Sequence, residues 1–123
     1  MPFDTHLLDE ALAQRSVRLE EERQELYHKT VGALEQFHMA YAIRYAYIFG
    51  SVTRPHRFHE HSDIDIAIKT ERPELLPEAI GRFSSFLQRD VDLINLDTAP
   101  FADRIQREGI QWKAQNFSSC GRT

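Results

Sequence analysis

The run from Tyr47 to Ile68, YIFGSVTRPHRFHEHSDIDIAI, constrains this chain more than any other stretch. An apolar strand ends in Gly50-Ser51, a polar loop follows, and a second apolar strand carries aspartates at alternate positions. Side chains in a strand alternate between faces. Asp63 and Asp65 therefore share one face, and Ile64, Ile66 and Ile68 share the other. Two carboxylates ~5 Å apart at an effective dielectric of ~20 repel by roughly 3 kcal/mol. Such a pair implies a cation between them. The alternative is a solvated edge strand, and the isoleucines argue against it. The stretch VDLINL, Val91 to Leu96, repeats the pattern by placing Asp92 between two apolar residues. Buried charges are costly unless paired or bound to metal. Asp90 and Asp97 flank this stretch, at its entrance and on the opposite parity, so Asp92 is the preferred third carboxylate. Three converging carboxylates suit Mg²⁺, which relies on a few carboxylates together with substrate phosphates.

Gly50 sits where the chain must turn and let backbone approach a ligand. Ser51 opens a short helical turn whose free N–H groups favour phosphate. Taken alone, a Gly-Ser dipeptide is an ordinary turn. The loop that follows holds His56, His59 and His61, half of the six histidines. Their spacing matches no metal motif, and with Arg57 they read as a solvated basic loop over the cleft.

The rest of the chain reads as one α/β (α+β) domain over residues 1–115 and a flexible tail over 116–123. Residues 5–36 predict a long helix, with Leu12, Leu19, Leu26 and Ala33 recurring every seven residues. Arg15, Glu22 and Lys29 occupy the positions that would complete a coiled-coil seam, so the helix is expected to pack on a sheet. Ile43 to Phe49, Ile64 to Ile68 and Val91 to Leu96 predict three strands in a core of 41–97. Leu76, Ile80, Phe83 and Leu87 predict a helix over 76–88. Pro100, Phe101, Ile105 and Trp112 predict a last helix over 100–114.

With 123 residues, the chain has room for one modest core. Its single cysteine, Cys120, rules out an intramolecular disulfide. No apolar run approaches the ~20 residues of a membrane span, and no secretory signal is evident. A cytoplasmic protein is expected. Residues 1–36 hold eight acids and four bases, which accounts for the whole net charge of −4. The remainder is neutral, so charge gives no support to nucleic-acid binding.

The combination of Gly50-Ser51, Ser62-Asp63-Ile64-Asp65 and Val91-Asp92-Leu93 resembles the DNA polymerase β-type nucleotidyltransferase superfamily. In size it is similar to the minimal nucleotidyltransferase branch, the antitoxins of HEPN/MNT toxin–antitoxin modules. The resemblance spans about Tyr41 to Lys113 and implies a short mixed sheet flanked by helices. It implies that Asp63 and Asp65 ligate two Mg²⁺ ions, with Asp92 as third carboxylate and candidate base. Gly50, Ser51 and Arg54 would hold the triphosphate of ATP. The implied reaction is transfer of AMP to a tyrosine hydroxyl of a HEPN ribonuclease toxin, with a toxin hetero-oligomer or a homodimer as the assembly. The family commonly has glycine after the arginine; Pro55 stands there instead and should cut the turn short. Two other functions compete: an antitoxin acting by contact alone through its acidic first helix, and a small-molecule nucleotidyltransferase of the antibiotic-modifying type. The second would need acceptor surface that so short a chain hardly provides.

Overall fold

The computed structural model describes residues 6–55, 58 and 63–114. The elements run α1 (His6–Phe37), β1 (Ile43–Phe49), a 3-10 turn (Ser51–Thr53), β2 (Ile64–Thr70), α2 (Leu76–Leu87), β3 (Val91–Asn95), α3 (Ala102–Glu108) and β4 (Ile110–Lys113). The four strands lie in the order β3-β2-β1-β4. β1 is antiparallel to both β2 and β4, while β2 and β3 are parallel and joined through α2. This is a mixed sheet with helices, in keeping with the expected class.

Strand alternation gives the sheet two unlike faces. Ala46, Ile48, Ile64, Ile66, Ile68, Val91 and Leu93 form the main core with Leu34 and Phe37 of α1 and Phe83 of α2. Tyr45, Tyr47, Phe49, Ala67 and Ile94 face the other way and pack with Leu96 and with Ile105 of α3. Asp65 alternates with the core isoleucines and so belongs to this second face, on which α3 is the covering helix.

Two predicted elements differ from the structure. The helix expected over 100–114 ends at Glu108, and Ile110–Lys113 is a fourth strand on β1. Gly109 makes the break, with an extended backbone (φ −81°, ψ 168°). A side chain there is excluded, because its Cβ would lie 2.8 Å from the Ile105 carbonyl and 3.1 Å from that of Ile48. The apolar spacing of Ile105 and Trp112 reads as helical only if that junction is ignored. The new strand also pairs an edge of β1 that would otherwise expose its backbone.

The second difference concerns α1. Its heptad stripe packs on the body only in its lower half: Leu26 and Ala33 are buried, but Leu12 is 55% exposed, with Leu7, Leu8 and Val17 also exposed. The first turns extend past the sheet. Among the described residues, no helix is long and apolar enough to cross a membrane. The tail after residue 115 lies outside the described residues.

Position along α1 should therefore set the cost of truncation. Leu34→Ala, in the core, should destabilise by about 2–5 kcal/mol. Leu12→Ala should stay within about 0.5 kcal/mol. Urea denaturation of both variants checks this.

Candidate active site

The site forms at one end of the sheet, where β1 finishes and β2 and β3 begin. Asp65 lies opposite Phe49 of β1 and beside Asp92 of β3, in parallel register. Asp63 immediately precedes β2. Asp65 is half-buried, whereas Asp63 and Asp92 are exposed. Among the described residues none of the three is in an ion pair. Asp97, by contrast, pairs with Lys69 at 2.8 Å.

Gly50 is required twice over. Its φ of +86° is one that L side chains rarely adopt, and a Cβ there would sit 2.5 Å from Oδ2 of Asp65. The Asp65 carboxylate thus lies directly against the backbone at the Gly-Ser turn. The turn itself is closed by the Thr53 N–H and hydroxyl, both donating to the Gly50 carbonyl at 3.1 and 2.8 Å, and by the Arg54 N–H donating to Ser51 at 3.1 Å. Val52 is fully buried and pins the turn to the core. The leading N–H groups of a helical turn have no acceptor within it; Val52 is enclosed, so the N–H of the partly exposed Ser51 is the one open to an anion. Arg54 already has the extended backbone (φ −119°, ψ 116°) that a residue before proline prefers. Pro55 accordingly limits the turn to three residues.

A cavity of about 530 Å³ opens beside the turn, on the α3 side. Phe49, Ile94, Pro100, Phe101 and Ile105 give it apolar walls, and Ser51, Thr53, Arg54, Arg104 and Glu108 give it polar ones. The aspartates do not line it; Phe49 connects the two regions. Arg54 pairs with Glu108 at 3.1 Å, and Arg104 reaches the same carboxylate at 3.3 Å.

The carboxylates feel one another. Burial, then the charges of Asp92 and Asp63, push the Asp65 carboxyl up to about 6 from its ordinary value of 3.8. Among the described residues, no three His, Cys, Asp or Glu side chains are gathered closely enough to hold a metal ion by themselves. The donor set is all carboxylate, which matches a hard cation and not a thiolate- or imidazole-preferring one.

The fold brings Asp63, Asp65, Asp92, Gly50, Ser51 and Arg54, the six residues expected from the sequence, to this end of the sheet. His56, Arg57, His59, His61 and Ser62 lie outside the described residues. Phe58, from the same loop, is buried, with the Arg89 guanidinium 5.1 Å from its ring centre. Two neighbours of the turn were not legible. Glu108 ends a helix that the apolar spacing predicts to run on to 114. Arg23 of α1 donates to the Val52 carbonyl at 2.9 Å from 29 residues away, and no local pattern announces so distant an acceptor.

The "Polymerase beta, Nucleotidyltransferase" family profile matches residues 33–116. The chain belongs to this family. Among solved structures it is similar to a toxin–antitoxin determined with AMP-PNP, at 26% identity and a TM-score of 0.55 over 69% of this chain and 74% of that one. It is also similar to a structure described as a minimal nucleotidyltransferase (26% identity, TM-score 0.60, 72% of this chain and 93% of that one). A third is a MntA–HepT toxin–antitoxin (26% identity, TM-score 0.52, 75% and 74%). No curated protein matches the chain in sequence. The nucleotidyltransferase family member therefore carries its carboxylates on a sheet of the expected type, with an additional helix, most of α1, before the matched range.

The raised Asp65 carboxyl has a signed consequence. The folded chain holds that proton more tightly than the unfolded chain. The associated stability is complete below about pH 4 and is lost as pH rises through about 6. In EDTA at about pH 7.5, Asp65→Asn should melt above wild type, and the gap should close towards pH 4. Mg²⁺ should raise the wild-type melting temperature and leave that of Asp65→Asn nearly unchanged. Thermal scans across pH, with and without Mg²⁺, measure both effects. Gly50→Ala should abolish the Mg²⁺ response, since its methyl group would occupy space beside the Asp65 carboxylate.

Proposed function

We propose that this protein is an antitoxin nucleotidyltransferase that moves AMP from ATP to a tyrosine hydroxyl of a HEPN ribonuclease toxin. The observation that carries the reading is the register: Asp65 and Asp92 stand side by side on parallel strands, with Gly50 against Asp65. Carboxylates held together at such a cost suit a reaction on phosphate. The similarity to a toxin–antitoxin solved with AMP-PNP supports the choice of nucleotide and partner.

Asp63 and Asp65, with Asp92 beside them, would hold two Mg²⁺ ions. The ions would neutralise the charge developing on the phosphates. The Ser51 N–H and hydroxyl donate to triphosphate oxygens, and Arg54 supplies a guanidinium to the same group. The adjoining cavity accommodates the nucleoside. Asp92 accepts the proton of the acceptor hydroxyl, whose oxygen bonds to the α-phosphorus. The bond from that phosphorus to the bridging oxygen breaks, and pyrophosphate leaves. Catalysis of this kind is positioning and charge stabilisation rather than covalent chemistry.

Incubation with ATP, Mg²⁺ and the toxin of the neighbouring reading frame should increase the toxin's intact mass by AMP. Asp63→Asn and Asp65→Asn should each slow that transfer by roughly 10²–10³-fold, the scale of losing one preorganised charged group. No mass change on a verified partner would refute the reading. If the triple aspartate variant still protects cells, neutralisation is by contact.

A further inference from the structure

The region of α1 that lies before the family-matched range reaches the Gly-Ser turn. Arg23 is the link. Its side chain is only 11% exposed, which is rare for an arginine without a structural or ligand role. Nη1 donates to the Val52 carbonyl at 2.9 Å, while Nε and Nη2 engage the carboxylate of Glu20 one turn earlier. The hydrogen bonding and charge of Glu20 raise the Arg23 pKa above its already high ordinary value.

Val52 is thus fixed from two sides. Its side chain is fully buried in the main core, and its carbonyl is held by a charged donor. Thr53 and Arg54 close the turn through the carbonyls of Gly50 and Ser51. With Arg23, the carbonyls of Gly50, Ser51 and Val52 all accept hydrogen bonds. A short 3-10 turn has poorer hydrogen-bond geometry than an α-helix, and this one ends before Pro55. Its shape therefore depends on anchors outside itself. Charge-assisted bonds are about twice as strong as neutral ones, so Arg23 is the strongest polar anchor it has among the described residues. The Glu20 carboxylate already meets the charge of the guanidinium, so what Arg23 gives the turn is the hydrogen bond to Val52.

We propose that Arg23 is a positioning residue for the nucleotide site: α1 holds the Ser51–Thr53 turn in its triphosphate-binding shape through the Val52 carbonyl. The inference rests on the nucleotidyltransferase reading of that turn. It makes α1 part of the nucleotide site, although most of the helix lies outside the family-matched residues 33–116.

The test measures binding of the non-hydrolysable ATP analogue AMP-PNP with Mg²⁺ by calorimetry, and amide hydrogen exchange at residues 51–54. Arg23→Met keeps the apolar stem and removes the donors. It should weaken binding about tenfold, the size of one lost charge-assisted hydrogen bond, and speed exchange at the turn. In transfer assays KM for ATP should rise while kcat stays within about twofold, as expected for loss of uniform binding. Arg23→Lys, which retains one donor for Val52, should restore part of the affinity. Leu26→Ala serves as the comparison, because it weakens the packing of the same helix without removing a hydrogen bond to the turn; it should lower the melting temperature and leave affinity unchanged. Equal loss of affinity in Leu26→Ala and Arg23→Met would overturn the inference by showing that only helix stability matters. Wild-type affinity in Arg23→Met would overturn it alone. Failure of wild type to bind the analogue would overturn the nucleotidyltransferase reading first.

Discussion

The site depends on one close approach, the Asp65 carboxylate lying against the α-carbon of Gly50. Asp65 stands in a strand whose other face is fully committed to the core through Ile64, Ile66 and Ile68. Its side chain is therefore fixed on the second face, next to Asp92 and across from Phe49. Only a glycine at the end of β1 leaves space for the carboxylate there. The same glycine supplies the positive φ that turns the chain into Ser51–Thr53. One residue thus brings the acidic strands and the Gly-Ser turn into contact.

The electrostatics follow from this packing. Half-burial and two neighbouring carboxylates raise the Asp65 carboxyl to about 6. The charged form of Asp65 is therefore disfavoured by its surroundings. The cavity beside the turn, with the guanidinium groups of Arg54 and Arg104 at its wall, continues the same surface towards α3.

The surroundings of the turn come from three separate elements. The core holds Val52, α1 holds its carbonyl through Arg23, and α3 holds Arg54 through Glu108. The ion pair to Glu108 is exposed and contributes little to stability. The bond from Arg23 is nearly buried. The turn is thus held by an enclosed contact on the α1 side and a solvated one on the α3 side.

Much of this was written in local pattern. Period-two alternation put Asp63 and Asp65 on one face, the isoleucines defined the buried side, and β-branched runs marked β1, β2 and β3. Glycine and proline fixed where the turn begins and ends, because their backbone preferences act within a residue or two. The strand at Ile110–Lys113 was not legible, since its pairing with β1 depends on an edge formed far away in sequence, and the spacing of Ile105 and Trp112 mimicked a helix across Gly109. The heptad of α1 likewise could not say where the body stops, so Leu12 reads like Leu26 although one is exposed and the other buried. Sequence by itself determined the chemistry of the residues and the face each occupies within its strand. Tertiary structure decided that Asp92 adjoins Asp65, that Arg23 reaches Val52 and that a cavity opens beside Ser51, because strand register and helix docking are set by packing between segments that are distant along the chain.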